Sequence, residues 1–162
     1  MGWAAAALLA LLALVGLVLL LRQGPGTWRY SLAGGASRDV TVPLGGYAFV
    51  SVPRGSLAHD ASISVERTSP PCAPSRCHVL PLGDPFRVRI EAPLLAPVLI
   101  AARYDAVTLA RHRGYRILTL AYFDGAKHRW VPVATSIDLR RRYVTTLTSR
   151  KRPTVWMPVA TS

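Results

Sequence analysis

The chain has 162 residues, 51% of them hydrophobic, and carries 20 Lys+Arg against 8 Asp+Glu for a formal net charge of +12. An apolar average and a charge of that size seldom share one compact domain, and they separate when the chain is cut after Leu21. Residues 3–21 hold no charge and no proline, so every basic residue lies beyond them, and the part left, about 140 residues, suffices for one domain and not for two. Apolar residues recurring to the C-terminus exclude disorder throughout, and the leader argues against a soluble cytosolic enzyme.

Residues 3–21 are mostly Ala and Leu, which favour helix. At 1.5 Å per residue they span about 29 Å, matching a hydrocarbon core of ~30 Å. A buried core helix would show a polar stripe, and there is none. A cleaved signal peptide has a shorter apolar run, a basic start and a small-x-small cleavage site. Here the start, Met1-Gly2-Trp3, lacks Lys and Arg, and Arg22-Gln23-Gly24-Pro25 offers no such site. An uncleaved transmembrane anchor over 1–22 fits better. Arg22 and Arg29 after the helix would, by the positive-inside rule, put the domain in the cytoplasm, but long domains translocate largely regardless of charge. Residues 23–37, with Gly24, Pro25, Gly26 and then Gly34 and Gly35, read as a flexible juxtamembrane linker.

From Arg38 the period becomes two. Val40 and Val42 precede Pro43, and 47–50 and 63–65 continue the pattern. Cys72 and Cys77 follow in a turn with Pro70, Pro71 and Pro74. Two thiols this close in a proline-rich turn can reach the ~5.5 Å Cα separation of a disulfide. A zinc site would need more ligands than the adjacent His78 supplies, and a thioredoxin-type pair has two intervening residues, not four. A small structural disulfide is the preferred reading. It implies an oxidising compartment and an extracytoplasmic domain, which outweighs the positive-inside signal.

The clearest strand is 86–91, with Phe86, Val88 and Ile90 on one face and Arg87, Arg89 and Glu91 on the other. Stretches 97–103 and 116–123 are apolar on both faces and read as central strands, with one short helical turn between them over 105–113. Asp124-Gly125 signals a hairpin, and strands over 128–134, 143–148 and 154–159 complete the series. Prolines beside strands suit edges and ends. The expected fold is all-β: an antiparallel β-sandwich over 38–162, preceded by one N-terminal transmembrane helix.

The order Thr41-Val42-Pro43-Leu44-Gly45-Gly46, Pro85-Phe86, Pro97-Val98 and Arg103-Tyr104-Asp105 resembles the ZU5-type β-sandwich, especially its bacterial membrane-anchored forms. So do Arg129-Trp130-Val131-Pro132-Val133, Ile137-Asp138 and Tyr143-Val144-Thr145-Thr146, and the resemblance spans roughly 38–159. Self-cleaving relatives carry a His-Phe-Ser triplet before the last strand, whose serine attacks the preceding peptide bond. Here the place reads Thr148-Ser149-Arg150-Lys151-Arg152-Pro153, without His or Phe before Ser149. The resemblance therefore implies an interaction or structural module that does not cleave itself and is not an enzyme.

Enzyme signatures are absent: there is no G-x-S-x-G, H-E-x-x-H or phosphate-binding glycine loop. His59, His78, His112 and His128 are scattered, and the His59-Asp60 pair has no nucleophile beside it. No cofactor or metal is expected. The strongest remaining signal is basic, since residues 103–152 hold twelve Lys/Arg against three acids. Arg140, Arg141 and Arg142 precede a strand, and Arg150, Lys151 and Arg152 follow it, so the clusters should lie about 23 Å apart at opposite ends of the sandwich. Arg111, Arg113 and Arg116 should share the first end, and Lys127 and Arg129 the second. Two poles are unlike the continuous basic track with exposed aromatics that nucleic acid requires, so no nucleic acid is expected. They suit an anionic envelope polymer, a lipid headgroup surface or an acidic partner protein. The competing reading is solvated hairpin tips, since Arg outnumbers Lys 18 to 2 as a GC-rich genome alone would produce. Two alternatives are an envelope hydrolase, whose loop-assembled site would need a pocket with two convergent acids or a His pair, and a cytoplasmic-facing basic nucleic-acid-binding module, in which Cys72 and Cys77 would be reduced.

Overall fold

Strand alternation meets the core as its period requires. In β3 (Ala48–Val52) Ala48, Val50 and Val52 are buried, and in β4 (Ala61–Arg67) Ala61, Ile63 and Val65 are. In β6 (Phe86–Ile90) Phe86 and Val88 point inward while Arg87 and Arg89 face solvent. The computed structural model describes residues 27–32, 39–72, 78–150 and 154–162. The predicted membrane helix lies outside the described residues, among which no helix is long and apolar enough to cross a membrane.

The remaining elements are β1 (Thr27–Leu32), β2 (Val40–Leu44), β5 (Leu80–Pro81), β7 (Val98–Arg103), α1 (Ala106–Arg111), β8 (Ile117–Asp124), β9 (Arg129–Pro132), β10 (Ser136–Asp138), β11 (Tyr143–Thr148) and β12 (Thr154–Thr161). All strand pairings are antiparallel. One sheet runs β1-β4-β6-β12-β8-β9 with β5 beside β12, and the other β10-β11-β7-β3-β2. Their facing sides share one core in which Ile63, Val65, Phe86, Leu120 and Trp156 of the first sheet meet Val42, Val50, Val98, Ile100 and Val144 of the second. This is an all-β sandwich.

A second, smaller cluster explains why β8 and β12 are apolar on both faces. Ala121, Trp130, Met157 and Val159 point outward from the first sheet and are covered by Val79, with Cys72 packed at the margin. Val79 and Cys72, from the connection between β4 and β5, thus cover part of that outer face. Elsewhere on the same sheet Glu66 pairs with Arg87 at 2.5 Å across β4 and β6 in solvent.

The domain boundary differs from the sequence reading. Thr27–Leu32, expected within the flexible linker, is an edge strand in register with β4 from Thr27↔Glu66 to Leu32↔Ala61. Its alternation places Trp28 and Tyr30 against the core, and the Tyr30 hydroxyl donates to the Pro43 carbonyl at 3.2 Å. Flanking glycines mask a strand whose burial holds it in the sheet.

Candidate anionic-partner interface

Following the strands assigns every connection to one of two ends. The near end carries the β2–β3 turn, the β4–β5 connection, the segment holding α1 and the β10–β11 turn. Tyr143 stands opposite Arg103 in the ladder, and Thr161 opposite Ile117, which puts the starts of β8 and β11 at the same end. Arg111, Arg113, Arg116, Arg140, Arg141 and Arg142 therefore gather at this end, and all six are exposed. Arg103, the last residue of β7, joins them. The far end carries the β8–β9 and β11–β12 connections, with Lys127, Arg129 and Arg150. Lys151 and Arg152 lie outside the described residues, as does Cys77.

The near end is ordered by three carboxylates, each engaged. Asp138 accepts the Arg141 amide at 2.9 Å, closing the β10–β11 turn. Asp84 pairs with Arg67. Asp105 caps α1, accepting the amides of Val107 at 2.9 Å and Thr108 at 3.2 Å and the Thr108 hydroxyl at 2.5 Å. Among the described residues the salt bridges are Arg67–Asp84, Arg87–Glu66 and Arg89–Glu91, so at the near end Arg67 is paired while none of the seven arginines named above has one.

Between the two sheets at this end lies a cleft of about 310 Å³ lined by Tyr47, Gly83, Asp84, Arg103, Asp105 and Arg142 among others. Gly83 is required here, because a Cβ would meet Pro158 at 2.7 Å and the Arg103 carbonyl at 2.9 Å. Arg142 sits in the left-handed region with φ of 59°, an uncommon conformation for a residue with a side chain. Its carbonyl accepts the Tyr104 amide at 3.0 Å, and the neighbouring Tyr143 hydroxyl donates to Gly46 O at 3.2 Å. These bonds hold the turn in place. Burial pushes the Tyr47 phenol above its ordinary pKa of 10.0, with Arg67 opposing and Asp84 adding to the shift.

Two acids line this cleft, Asp84 paired with Arg67 and Asp105 capping α1. The Thr108 hydroxyl, then the Thr108 amide, hold the Asp105 carboxyl below its ordinary value, the opposite of a general acid. Because its folded-state pKa is depressed, Asp105 stabilises fully above the unfolded carboxylate value of ~3.9 and loses that contribution as pH falls through the folded value. Asp105→Asn should keep the cap and sit within a few degrees of the parent in thermal midpoint, while Asp105→Ala falls further. The gap between parent and Asp105→Asn should close on acidification, and a gap that stays constant with pH would refute the assignment.

At the far end Arg150 is already occupied: its guanidinium carbon lies 3.3 Å from the Tyr122 ring centroid, and Tyr122 packs edge-on against Trp156 at 5.8 Å. It serves as a lid on the core. Lys127 and Arg129 at this end are exposed, and no cation–π contact involves the seven near-end arginines named above among the described residues. Sequence reasoning missed Arg103, which reads as the end of an apolar strand, and the exposed Leu139 and Val107 beside the arginines. A lone Leu directly before three arginines is the signal that was legible.

Another groove, about 510 Å³, lies along the β9–β10 crossover between Leu99, Val133 and Leu147 and has no charged residue in its lining. Among the described residues no three His, Cys, Asp or Glu side chains gather as a metal site. Cys72 is half-buried, and the described residues include no free cysteine. No protein-family model matches the chain, and no curated protein is similar to it in sequence.

Proposed function

We propose that this chain is a non-catalytic, membrane-anchored interaction module of the cell envelope, a ZU5-like β-sandwich held outside the cytoplasm by residues 3–21. Its partner is anionic. The observation that carries this reading is the collection of seven exposed arginines at one end, with no salt bridge to any described residue. An evenly solvated surface would spread such charge, and neutralising acids would accompany a purely structural role. The motif order from Thr41 to Thr146 supports the family assignment, and the apolar leader supports the anchor.

A Cys72–Cys77 bridge belongs to the same reading, since it would pin the connection that covers Met157 and Trp130. Closing so short a loop is worth about 2 kcal/mol, and it requires an oxidising compartment. Protease added to intact cells should therefore digest the domain, and native protein should show no reactive thiol until it is reduced. A domain protected in intact cells, or two freely titrating thiols, would remove the extracytoplasmic placement.

A further inference from the structure

We infer that the near end of the sandwich rests on the headgroups of the bilayer in which the chain is anchored, with Leu139 entering the interface among Arg140, Arg141 and Arg142. The inference rests on the anchor reading and identifies the anionic partner as lipid.

The first observation is where the chain enters the fold. β1 begins at Thr27 and runs away from the near end. Trp28, its second residue, packs against Tyr47 with ring centroids 5.9 Å apart and lies directly over Gly45 in the β2–β3 turn. The next residue of that turn, Gly46, accepts the Tyr143 hydroxyl, beside Arg142. Whatever precedes Thr27 therefore leaves the domain at the arginine end. Six Cα steps separate Leu21 from Thr27, a reach of at most about 20 Å. The tether holds the near end beside the membrane, and β12 alone puts the far end about 26 Å further out.

The second observation is the chemistry presented there. Leu139 is 75% exposed at the tip of the β10–β11 turn, Val107 is 54% exposed on α1 and Ile117 is 58% exposed at the start of β8. Exposed apolar side chains ringed by arginines are costly in water and favourable at a headgroup boundary, where the apolar group enters the acyl margin and guanidiniums bind phosphate bidentately. Seven arginines without a salt bridge among the described residues supply the attraction to an anionic leaflet. Tethering makes the contact intramolecular, so even weak individual contacts suffice. A soluble polyanion would need the arginines but not the leucine, and would gain nothing from the entry point of the chain.

The test uses the full chain reconstituted into vesicles, with an environment-sensitive fluorophore on Leu139→Cys and, separately, on Leu95→Cys. Leu95 is equally exposed at 70% but lies in the β6–β7 connection at the far end. In phosphatidylcholine containing phosphatidylglycerol, the label at 139 should shift to the blue, brighten several-fold and be quenched by nitroxide lipids. Salt near 1 M, where the Debye length is about 3 Å, should reverse most of this. The label at 95 should report water throughout. A variant carrying Arg140→Glu, Arg141→Glu and Arg142→Gly should reduce the response at 139 to that at 95. Glycine is chosen at 142 because it accepts the backbone φ found there.

Equal responses at the two positions would overturn the inference. So would a response at 139 that ignores both lipid charge and the arginines, or one elicited by soluble polyglutamate and not by anionic lipid. Alkaline carbonate extraction separates this failure from failure of the anchor. A chain that stays with the vesicles while residue 139 remains in water loses the inference alone, whereas a chain that is extracted loses the anchor as well.

Discussion

Trp156→Ala is expected to lower the free energy of unfolding by about 3–5 kcal/mol, a large part of the ~5–15 kcal/mol that holds a domain of this size together. Trp156 is 2% exposed, pairs in the ladder with both Phe86 and Tyr122, and packs against the Tyr122 ring that Arg150 covers from outside. Truncation opens a cavity where strands from both flanks of β12 meet. It also removes the support beneath the Arg150–Tyr122 stack. Guanidinium unfolding followed by far-ultraviolet circular dichroism measures the loss, and Trp156→Phe should recover more than half of it. A shift under about 1 kcal/mol would mean that this side chain is not in the core.

The second large effect concerns the turn beneath the entry strand. Gly45 has φ of +54° and Gly46 of +79°, so alanine at either position carries the left-handed penalty of about 1–2 kcal/mol. Only Gly45 adds a clash: its Cβ would stand 2.8 Å from Trp28 Cζ2 and 3.1 Å from Cη2, whereas nothing lies within 4 Å of the Cβ at Gly46. Displacing the indole should bring Gly45→Ala to about 2–4 kcal/mol, with a change in tryptophan emission that Gly46→Ala lacks. A smaller ring should relieve the clash, so Trp28→Leu combined with Gly45→Ala should cost about 1 kcal/mol less than the sum of the two. Equal costs for the two glycine variants would remove Trp28 from the β2–β3 turn, and with it the route by which the chain reaches the arginine end.

Most strands were legible because burial and period coincide. Phe86, Val88 and Ile90 alternate with charge, and the two-faced apolar runs of β7 and β8 mark interior strands. Three elements were not legible. β1 is hidden between glycine-rich flanks, and only its docking on β4 distinguishes Trp28 and Tyr30 from linker residues. β5 is two residues long and exists as the ladder partner of Val159 and Ala160. β10 has all three residues exposed, so it lacks an inward face and is a strand only because Tyr143, Val144 and Thr145 pair with it. Such segments owe their conformation to a partner, and periodicity reports burial, not pairing.

The sequence by itself determined the division of the chain: an uncharged leader, then an all-β domain in which residues 103–152 hold twelve of the twenty basic residues. Those are properties of composition and period, which need no knowledge of neighbours. Only the tertiary structure decided which of these side chains gather and which are engaged. It occupied Arg150 on an aromatic ring, engaged Asp84, Asp105 and Asp138 in local bonds, and brought Tyr47, Gly83, Arg103 and Arg142 to one cleft from four distant segments. It also set the entry of the chain at the arginine end, because antiparallel pairing with β4 fixes the direction of β1. Ladder pairing sets direction and end, and it operates between residues far apart in the chain, where local pattern carries no information.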